Sequence, residues 1–168
     1  LYFEMFGDDY PYFSSLSSGW LAHCRTAANH YHEVLGISEV SRVLEIGSND
    51  GYMLQNFQYC SKVLGVEPSS SAASVATAKG IESIVSYFDR ELASQIVEDN
   101  GTFDLIMSNN MMAHTPNLQA VLQGVKLALA DIGTFIVEVQ YATEMFSAGK
   151  SDTVYHEHFC YFTLQAAC

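Results

Sequence analysis

The fold is decided by the stretch Val43-Leu44-Glu45-Ile46-Gly47-Ser48-Asn49-Asp50-Gly51. In it an apolar strand ends in a glycine turn that opens the next helix, and a second apolar run, residues 63–66, ends in Glu67. Glycines let the backbone approach a ligand closely, and an acid at the end of the second strand accepts hydrogen bonds from ribose hydroxyls. The pattern therefore predicts a crevice for a nucleoside-containing small molecule.

The chain is acidic and has the length of one domain. Its 168 residues include 7 Lys and Arg against 19 Asp and Glu, a net charge of −12. This size fits a single α/β core, and such a charge repels nucleic acid and anionic membrane surfaces. No apolar run approaches the ~20 residues of a membrane helix, and the first residues lack the basic start of a signal peptide. We expect a cytoplasmic protein.

The cysteines are widely spaced and form no Cys-x-x-Cys pair; they are Cys24, Cys60, Cys160 and Cys168. This spacing indicates neither a zinc ribbon nor a disulfide framework. We expect reduced thiols at all four positions.

Strand-like apolar runs alternate with helix-like stretches, which predicts helices on both faces of a mostly parallel sheet. The predicted strands are Val43–Ile46, Val63–Val66, Ser83–Val85, Phe103–Met107 and Thr134–Val139. The predicted helices between them are Tyr52–Tyr59, Ser70–Ala78, Arg90–Glu98 and Asn117–Leu129. An earlier helix is predicted from a cap at Ser14 or Ser15 to Leu35, with Gly36 ending it. Ligands bind at the carboxyl ends of parallel strands, so functional residues should cluster after the first, second and fourth strands.

The run Glu45-Ile46-Gly47-Ser48-Asn49-Asp50-Gly51-Tyr52 resembles the first motif of class I S-adenosylmethionine-dependent methyltransferases. The resemblance implies a Rossmann-like three-layer sandwich that binds S-adenosylmethionine and releases S-adenosylhomocysteine. Asn49 and Asp50 depart from a dinucleotide-binding loop, which keeps small neutral residues beside its diphosphate. An acid is favourable beside a cationic sulfonium and its amino group, so charge favours the methyl donor over NAD.

Two later motifs resemble the signature of sugar C-methyltransferases; they are Ser108-Asn109-Asn110-Met111-Met112-Ala113-His114 and Tyr155-His156-Glu157-His158-Phe159-Cys160-Tyr161-Phe162. That family includes enzymes that methylate C3 of a nucleotide-linked 4-keto-deoxyhexose in the biosynthesis of branched deoxysugars. The lead-in Asp9–Ser15 and the run Val63–Ser69 are also similar to the family. The resemblance thus covers nearly all of the chain and implies a nucleotide-sugar as substrate.

Methylation of carbon needs a base and a group that stabilises an enolate. Histidine is a neutral base near cellular pH, and a phenol donates a hydrogen bond to a developing oxyanion. In a helical turn Tyr155 and His158 share a face, with Glu157 beside them, whereas a flat strand separates Tyr155 from His158. We therefore predict a loop or helical turn over the Tyr-His-Glu-His stretch.

The resemblance assigns roles residue by residue. On the acceptor side it implies His158 as the base, Tyr155 and Glu157 completing the catalytic group, His114 facing the sugar, and Tyr10 near the keto oxygen or the methyl donor. Tyr12 is close enough in sequence to exchange with Tyr10. On the cofactor side it implies Glu45, Gly47, Asn49 and Gly51 around the amino acid portion, Glu67 at the ribose, Phe88 at the adenine and Asn109 nearest the sulfonium.

Several of these side chains also fit ordinary structural positions. His114 fits a cap of the following helix, Tyr161 an amphipathic core residue, and Glu138 a solvated strand end. The remaining histidines before the glycine turn are expected to face solvent without a carboxylate partner; they are His23, His30 and His32.

Three alternatives to sugar methylation stay open. The first is another small-molecule C- or O-methyltransferase. The second is a metal site, because His156, His158, Glu157 and His114 offer ligands that zinc or iron accepts. His156 and His158 point the same way only if their segment is extended. The third is a binding or regulatory module that keeps the cofactor pocket without turnover.

The predicted organisation is an aromatic lead-in and N-terminal helix over residues 1–36, a cofactor-binding core over 37–150 and a catalytic-motif segment over 151–168. Compared with the family, the chain lacks a cysteine-rich segment before the lead-in, a second α/β half, and the last strands of the sheet. We expect an open sheet edge after the fifth strand, covered by flanking domains or by another chain. With only 7 Lys and Arg, the substrate's diphosphate is expected to find its cations outside this segment.

Overall fold

The computed structural model describes Phe6, residues 12–150 and residues 154–167. The strands are β1 (Arg42–Ile46), β2 (Lys62–Val66), β3 (Glu82–Ile84), β4 (Phe103–Asn109) and β5 (Leu129–Glu138). The helices are α1 (Ser18–Leu35), α2 (Ser70–Ala78), α3 (Arg90–Asn100), α4 (Leu118–Ala128), α5 (Ala142–Ser147) and α6 (Leu164–Ala167). Short 3₁₀ turns lie at Ser14–Leu16, Leu54–Phe57 and Met112–His114.

The strands form one parallel sheet in the order β3-β2-β1-β4-β5. At its centre Leu44 of β1 lies opposite Leu64 of β2 and Ile106 of β4. All carboxyl ends therefore open at the same edge, and the order reverses between β1 and β4, where a ligand crevice belongs. The predicted parallel, Rossmann-like α/β fold is confirmed.

The sheet is buried on both faces. Along β1, Leu44 and Ile46 face a core shared with α3 and α4. Val43, which precedes them, faces a second core shared with α1 and α2. Burial on both faces explains why these strands read as nearly continuous apolar runs in the sequence. The result is three layers, with helices on each side of the sheet.

The predicted helix over residues 52–59 is wrong, because the chain forms only the 3₁₀ turn Leu54–Phe57 there. Gln55 and Asn56 each donate a side-chain amide hydrogen to the carbonyl oxygen three residues earlier, at 2.7 and 2.9 Å. Such local bonds compete with the α-helical pattern. Helix α2, by contrast, has the predicted bounds Ser70–Ala78.

Helix α1 begins later than the sequence predicts. Its N-cap is Ser17, whose hydroxyl accepts a hydrogen bond from the Trp20 backbone N–H at 3.2 Å. Ser14 and Ser15 do not cap the helix, since both contact the glycine turn after β1. The end is as predicted, because Gly36 takes the left-handed conformation (φ 69°) that closes a helix.

Strand β5 is longer than predicted and lies at the edge of the sheet. Within the described residues no strand pairs with its outer side, and Ile132 is 94% exposed. None of the helices in the described part of the chain has the length and apolar character of a membrane span.

Three cysteines are free thiols; they are Cys24, Cys60 and Cys160. Burial raises the pKa of Cys24 to about 12 and that of Cys60 to about 11. A thiol must lose its proton to react, so both are inert near neutral pH. Cys168 lies outside the described residues.

Candidate active site

A cavity of about 550 Å³ opens at the carboxyl edge of the sheet. Its walls come from the loops after all five strands, together with residues 12–14, Trp20 and the Tyr155–His158 turn. The cavity lies after the first, second and fourth strands, where the sequence predicts a ligand crevice, and the loops after β3 and β5 complete it. The volume lies in the range of small-molecule sites.

Left-handed backbone shapes the glycine turn after β1. Gly47 and Asn49 have φ of 73° and 49°, and both line the cavity. A Cβ on Gly47 would lie 2.7 Å from the Met111 side chain, so the close approach of these loops requires glycine. Gly51 (φ 76°) does not line the cavity; a Cβ there would meet the Ile81 side chain at 2.5 Å. Gly51 thus shapes the turn against the core.

Glu67 lies at the end of β2 and on the cavity wall, with 5% of its surface exposed. One carboxylate oxygen accepts from the Asn49 backbone N–H at 2.8 Å, and the other accepts from the Ser69 N–H at 2.9 Å. Burial raises its pKa, while these two bonds lower it. A carboxylate accepts about four hydrogen bonds. Each oxygen of Glu67 therefore retains capacity for a ligand hydroxyl.

Glu45 lies beneath the cavity and is not part of its wall. Its side chain is fully buried, and Asn109, which does line the cavity, donates its amide hydrogen to Oε1 at 2.8 Å. Oε2 has no hydrogen-bond partner among the described residues. Burial is the main cause that raises the pKa of Glu45 to about 8, and the Asn109 amide and the nearby Tyr52 hydroxyl oppose the rise. Glu45 thus orients Asn109 and keeps an unpaired oxygen beside the site.

Replacing Glu45 with glutamine is expected to stabilise the fold above neutral pH. In the wild type the folded state holds a proton that the unfolded chain releases near pH 4.5, so stability falls as pH rises from there through about 8. The variant lacks this loss, which is on the order of a few kcal/mol. Denaturant unfolding at several pH values measures it, with Glu82→Gln as the exposed control. Parallel pH profiles for wild type and Glu45→Gln would contradict this assignment.

Asp50 does not line the cavity, although the sequence argument placed its charge beside a ligand. Its side chain is 1% exposed and pairs with Lys79 Nζ at 3.4 Å. The carboxylate also accepts hydrogen bonds from Ser15. Asp50 therefore binds a segment that precedes it in the chain. Of Asn49 and Asp50, only Asn49 lines the cavity.

The Tyr155–His158 stretch is a turn, as predicted, and the His158 N–H donates to the Tyr155 carbonyl oxygen at 3.1 Å. The two rings are 4.3 Å apart between centroids, and both line the cavity. Burial raises the pKa of Tyr155, with the Glu157 charge as a further cause, so its phenol stays a donor. The segment is held at the loop after β4, where Phe159 N–H donates to the Ala113 carbonyl oxygen at 2.8 Å.

His114 meets the same turn from the loop after β4. Its ring centroid is 4.6 Å from that of His158, and its Nδ1 bonds the Glu157 carbonyl oxygen at 3.1 Å. A carbonyl only accepts, so Nδ1 carries the proton and Nε2 the lone pair of the neutral ring. Burial first, then the charge of His158, lowers the pKa of His114, which favours that neutral form. Glu157 contributes its backbone here, and its carboxylate is not on the cavity wall.

Other sequence-predicted residues are placed as follows. Phe88 lines the cavity and also belongs to the core. Its ring packs against Gly124, where an added Cβ would lie 2.8 Å from the Phe88 ring. Tyr10 lies outside the described residues. Tyr12, the other tyrosine that could take the role assigned to Tyr10, lines the cavity.

The sequence analysis missed Trp20 and Tyr52 as cavity residues. Their rings lie 6.0 Å apart, and Trp20 stacks on His23 at 4.9 Å. The available signals were that Trp20 is the single tryptophan and that Tyr52 directly follows the glycine turn.

The expectation that His23 has no carboxylate partner is wrong. His23 Nε2 lies 2.8 Å from Glu138 Oε2, and Asn110 Nδ2 donates to Glu138 Oε1 at 3.5 Å. Glu138 is therefore not simply a solvated strand end, because it joins helix α1 to the loop after β4.

The described residues bring no three His, Cys, Asp or Glu side chains together as a metal site. His156 and His158 lie in a turn and not in the extended conformation that would point both to one ion.

Comparisons with known proteins agree with this geometry. Residues 21–167 match the family described as "Methyltransferase domain". The chain is 35% identical over 160 residues to the C-methyltransferase NovU of Streptomyces niveus. That alignment covers 95% of this chain and 38% of the relative, so the chain spans well under half the length of NovU.

Solved structures share the fold at low sequence identity. A possible histamine N-methyltransferase from Thermotoga maritima aligns over 98% of this chain and 76% of its own, with a TM-score of 0.62 and 16% identity. The plantazolicin methyltransferase BpumL, crystallised with a pentazolic desmethylPZN analog and S-adenosylhomocysteine, aligns over 82% of this chain and 52% of its own. Its TM-score is 0.58 at 17% identity.

Proposed function

The chain belongs to the methyltransferase domain family, and from this premise we propose that the complete protein methylates a carbon of a nucleotide-linked keto-deoxysugar. The family match and the likeness to NovU confirm the predicted S-adenosylmethionine-dependent methyltransferase. The carbon acceptor is supported most by one observation, the convergence of Tyr155, His158 and His114 on one side of the cavity.

The described residues fit S-adenosylmethionine as cofactor. Gly47, which has no Cβ, lets the loops after β1 and β4 meet at the cavity wall, and Glu67 has free acceptor capacity at a wall position. The buried, unpaired oxygen of Glu45 suits a nearby cationic group. When bound, the cofactor supplies an electrophilic methyl group on a sulfonium. Glu67 binds the ribose in this proposal, Gly47 and Asn49 border the amino acid portion, and Phe88 borders the adenine.

The acceptor is activated by the Tyr155–His158 turn. His158 removes a proton from the carbon next to the keto group, and the electron pair of that C–H bond forms an enolate. Tyr155 donates a hydrogen bond to the enolate oxygen, which stabilises the charge as it develops. His114 is neutral, and its Nδ1–H donates to the Glu157 backbone carbonyl oxygen. It therefore offers a second imidazole beside the reacting sugar ring. These are the base and the oxyanion donor that carbon methylation needs.

The rest of the protein completes the substrate site in this proposal. The described cavity wall contains no Lys or Arg, and a nucleotide diphosphate needs cationic partners. The chain covers 38% of NovU, so we assign those cations to further domains or to a second copy that also covers β5. Residues 37–150 then form the cofactor-binding core and residues 151–168 the catalytic-motif segment, in a cytoplasmic enzyme.

The test uses the complete protein, a nucleotide-linked 4-keto-deoxysugar and deuterated water. Without methyl donor, deuterium should enter the acceptor at the carbon beside the ketone, because His158 forms the enolate there. With methyl donor, nuclear magnetic resonance should locate the new methyl group on that same carbon. A methyl group on oxygen would instead support the alternative of an O-methyltransferase, and exchange without any methyl transfer would contradict the proposal.

A further inference from the structure

Residues 12–16 are attached to the glycine turn by hydrogen bonds to two of its polar side chains, Asn49 and Asp50. Asn49 accepts from the Ser14 N–H at 2.9 Å and donates to the Tyr12 carbonyl oxygen at 3.0 Å. The Asp50 carboxylate accepts from the backbone N–H of Ser15 at 3.4 Å and from its hydroxyl. Tyr12 and Ser14 line the cavity. These bonds therefore hold Tyr12 and Ser14 in place as part of the cavity wall.

Lys79 completes this attachment from the end of α2. Its ammonium donates to the Asp50 carbonyl oxygen at 2.8 Å and to the Ser15 hydroxyl at 3.3 Å. It also pairs with the Asp50 carboxylate at 3.4 Å, where the Asp50 side chain is 1% exposed and that of Lys79 31%. A buried carboxylate without a partner is unfavourable, so Lys79 is what allows Asp50 to stay buried and hold Ser15.

We propose that Lys79 is a positioning residue for the cofactor cavity. Through Asp50 and Ser15 it holds residues 12–16 over the glycine turn. Asn49 joins the two parts, since it borders the cavity and also bonds Tyr12 and Ser14. A ligand that orders the glycine turn therefore also fixes the part of the wall formed by Tyr12 and Ser14. The fixed wall in turn strengthens binding of the ligand. The nature of that ligand rests on the proposed function, whereas the attachment itself does not.

The test compares Lys79→Met with wild type, with Lys79→Arg as the rescue variant and Lys62→Met as the matched control. Lys62 forms an ion pair with Glu82 at 2.7 Å, at the start of β2 and away from the cavity. Two properties of the full chain are measured: hydrogen exchange of the Ser14 and Ser15 amides, and calorimetric binding of S-adenosylhomocysteine. In Lys79→Met both amides should exchange faster and binding should weaken by about 10- to 100-fold. Lys79→Arg should recover most of both, and Lys62→Met should match wild type.

Wild-type exchange and wild-type affinity in Lys79→Met would overturn the inference. If Lys79→Met does not fold, Ser15→Ala decides it, because this change removes one hydroxyl from the attachment and no charge. Unchanged exchange and affinity in Ser15→Ala would then overturn it. Absence of binding in the wild type would contradict the proposed function, while the exchange rates would still decide the role of Lys79.

Discussion

Replacing Glu67 with alanine is expected to weaken binding of S-adenosylhomocysteine by about 100-fold or more. The carboxylate lies at the end of β2 on the cavity wall, and both oxygens keep acceptor capacity beyond the Asn49 and Ser69 N–H groups. In the proposed site the variant loses two charge-assisted bonds to ribose hydroxyls, and it also removes the acceptor of the Asn49 N–H in the glycine turn. Calorimetric titration of the purified chain measures the loss.

The control for Glu67→Ala is Glu82→Ala, which removes a carboxylate at the start of β3, at the other end of the sheet. Its side chain is 59% exposed and pairs only with Lys62 among the described ion pairs. This variant should bind the ligand as wild type does. Equal affinity in Glu67→Ala and Glu82→Ala would remove Glu67 from the cofactor site.

Replacing His158 with alanine in the complete protein is expected to reduce kcat by roughly 100- to 10,000-fold, the usual range for a general base. Affinity for S-adenosylhomocysteine should change little, because the proposal places the cofactor against the loops after β1 and β2. Deuterium exchange at the acceptor carbon should fall together with kcat, since both depend on the same proton transfer.

His156→Ala is the matched control for His158→Ala. His156 lies in the same turn but is exposed and absent from the cavity wall. Its removal tests whether any histidine loss in this segment damages the enzyme. If His158→Ala retains wild-type exchange at the acceptor carbon, another group is the base, and His114 is the next candidate by position and protonation.

The sheet was predictable because its signals are local. The central strands β1, β2 and β4 are short, mainly apolar runs, and burial on both faces forces that composition. The glycine turn and Glu67 were equally readable, since left-handed backbone and an acid at a strand end leave a sequence signature. The turn at Tyr155–His158 was predicted from the chemistry proposed for it, which requires Tyr155 and His158 on one face.

What sequence reasoning missed depends on partners far away in the chain. Asp50 was expected beside a cationic ligand, yet Lys79 and Ser15 hold it away from the cavity. His23 was expected to be solvated, yet it meets Glu138 from a strand that begins about a hundred residues later. Periodicity and composition describe neighbours in sequence, and neither predicts which surface side chains the fold brings together.

The most direct test of the account is a crystal structure of the chain with S-adenosylhomocysteine. The account predicts the ribose hydroxyls within hydrogen-bonding distance of Glu67, the amino acid portion against Gly47 and Asn49, and the sulfur directed towards Asn109 and the Tyr155–His158 turn. A ligand bound with its sulfur directed away from that turn, or bound outside this cavity, would contradict the central claim that the methyl group passes to an acceptor held beside the turn.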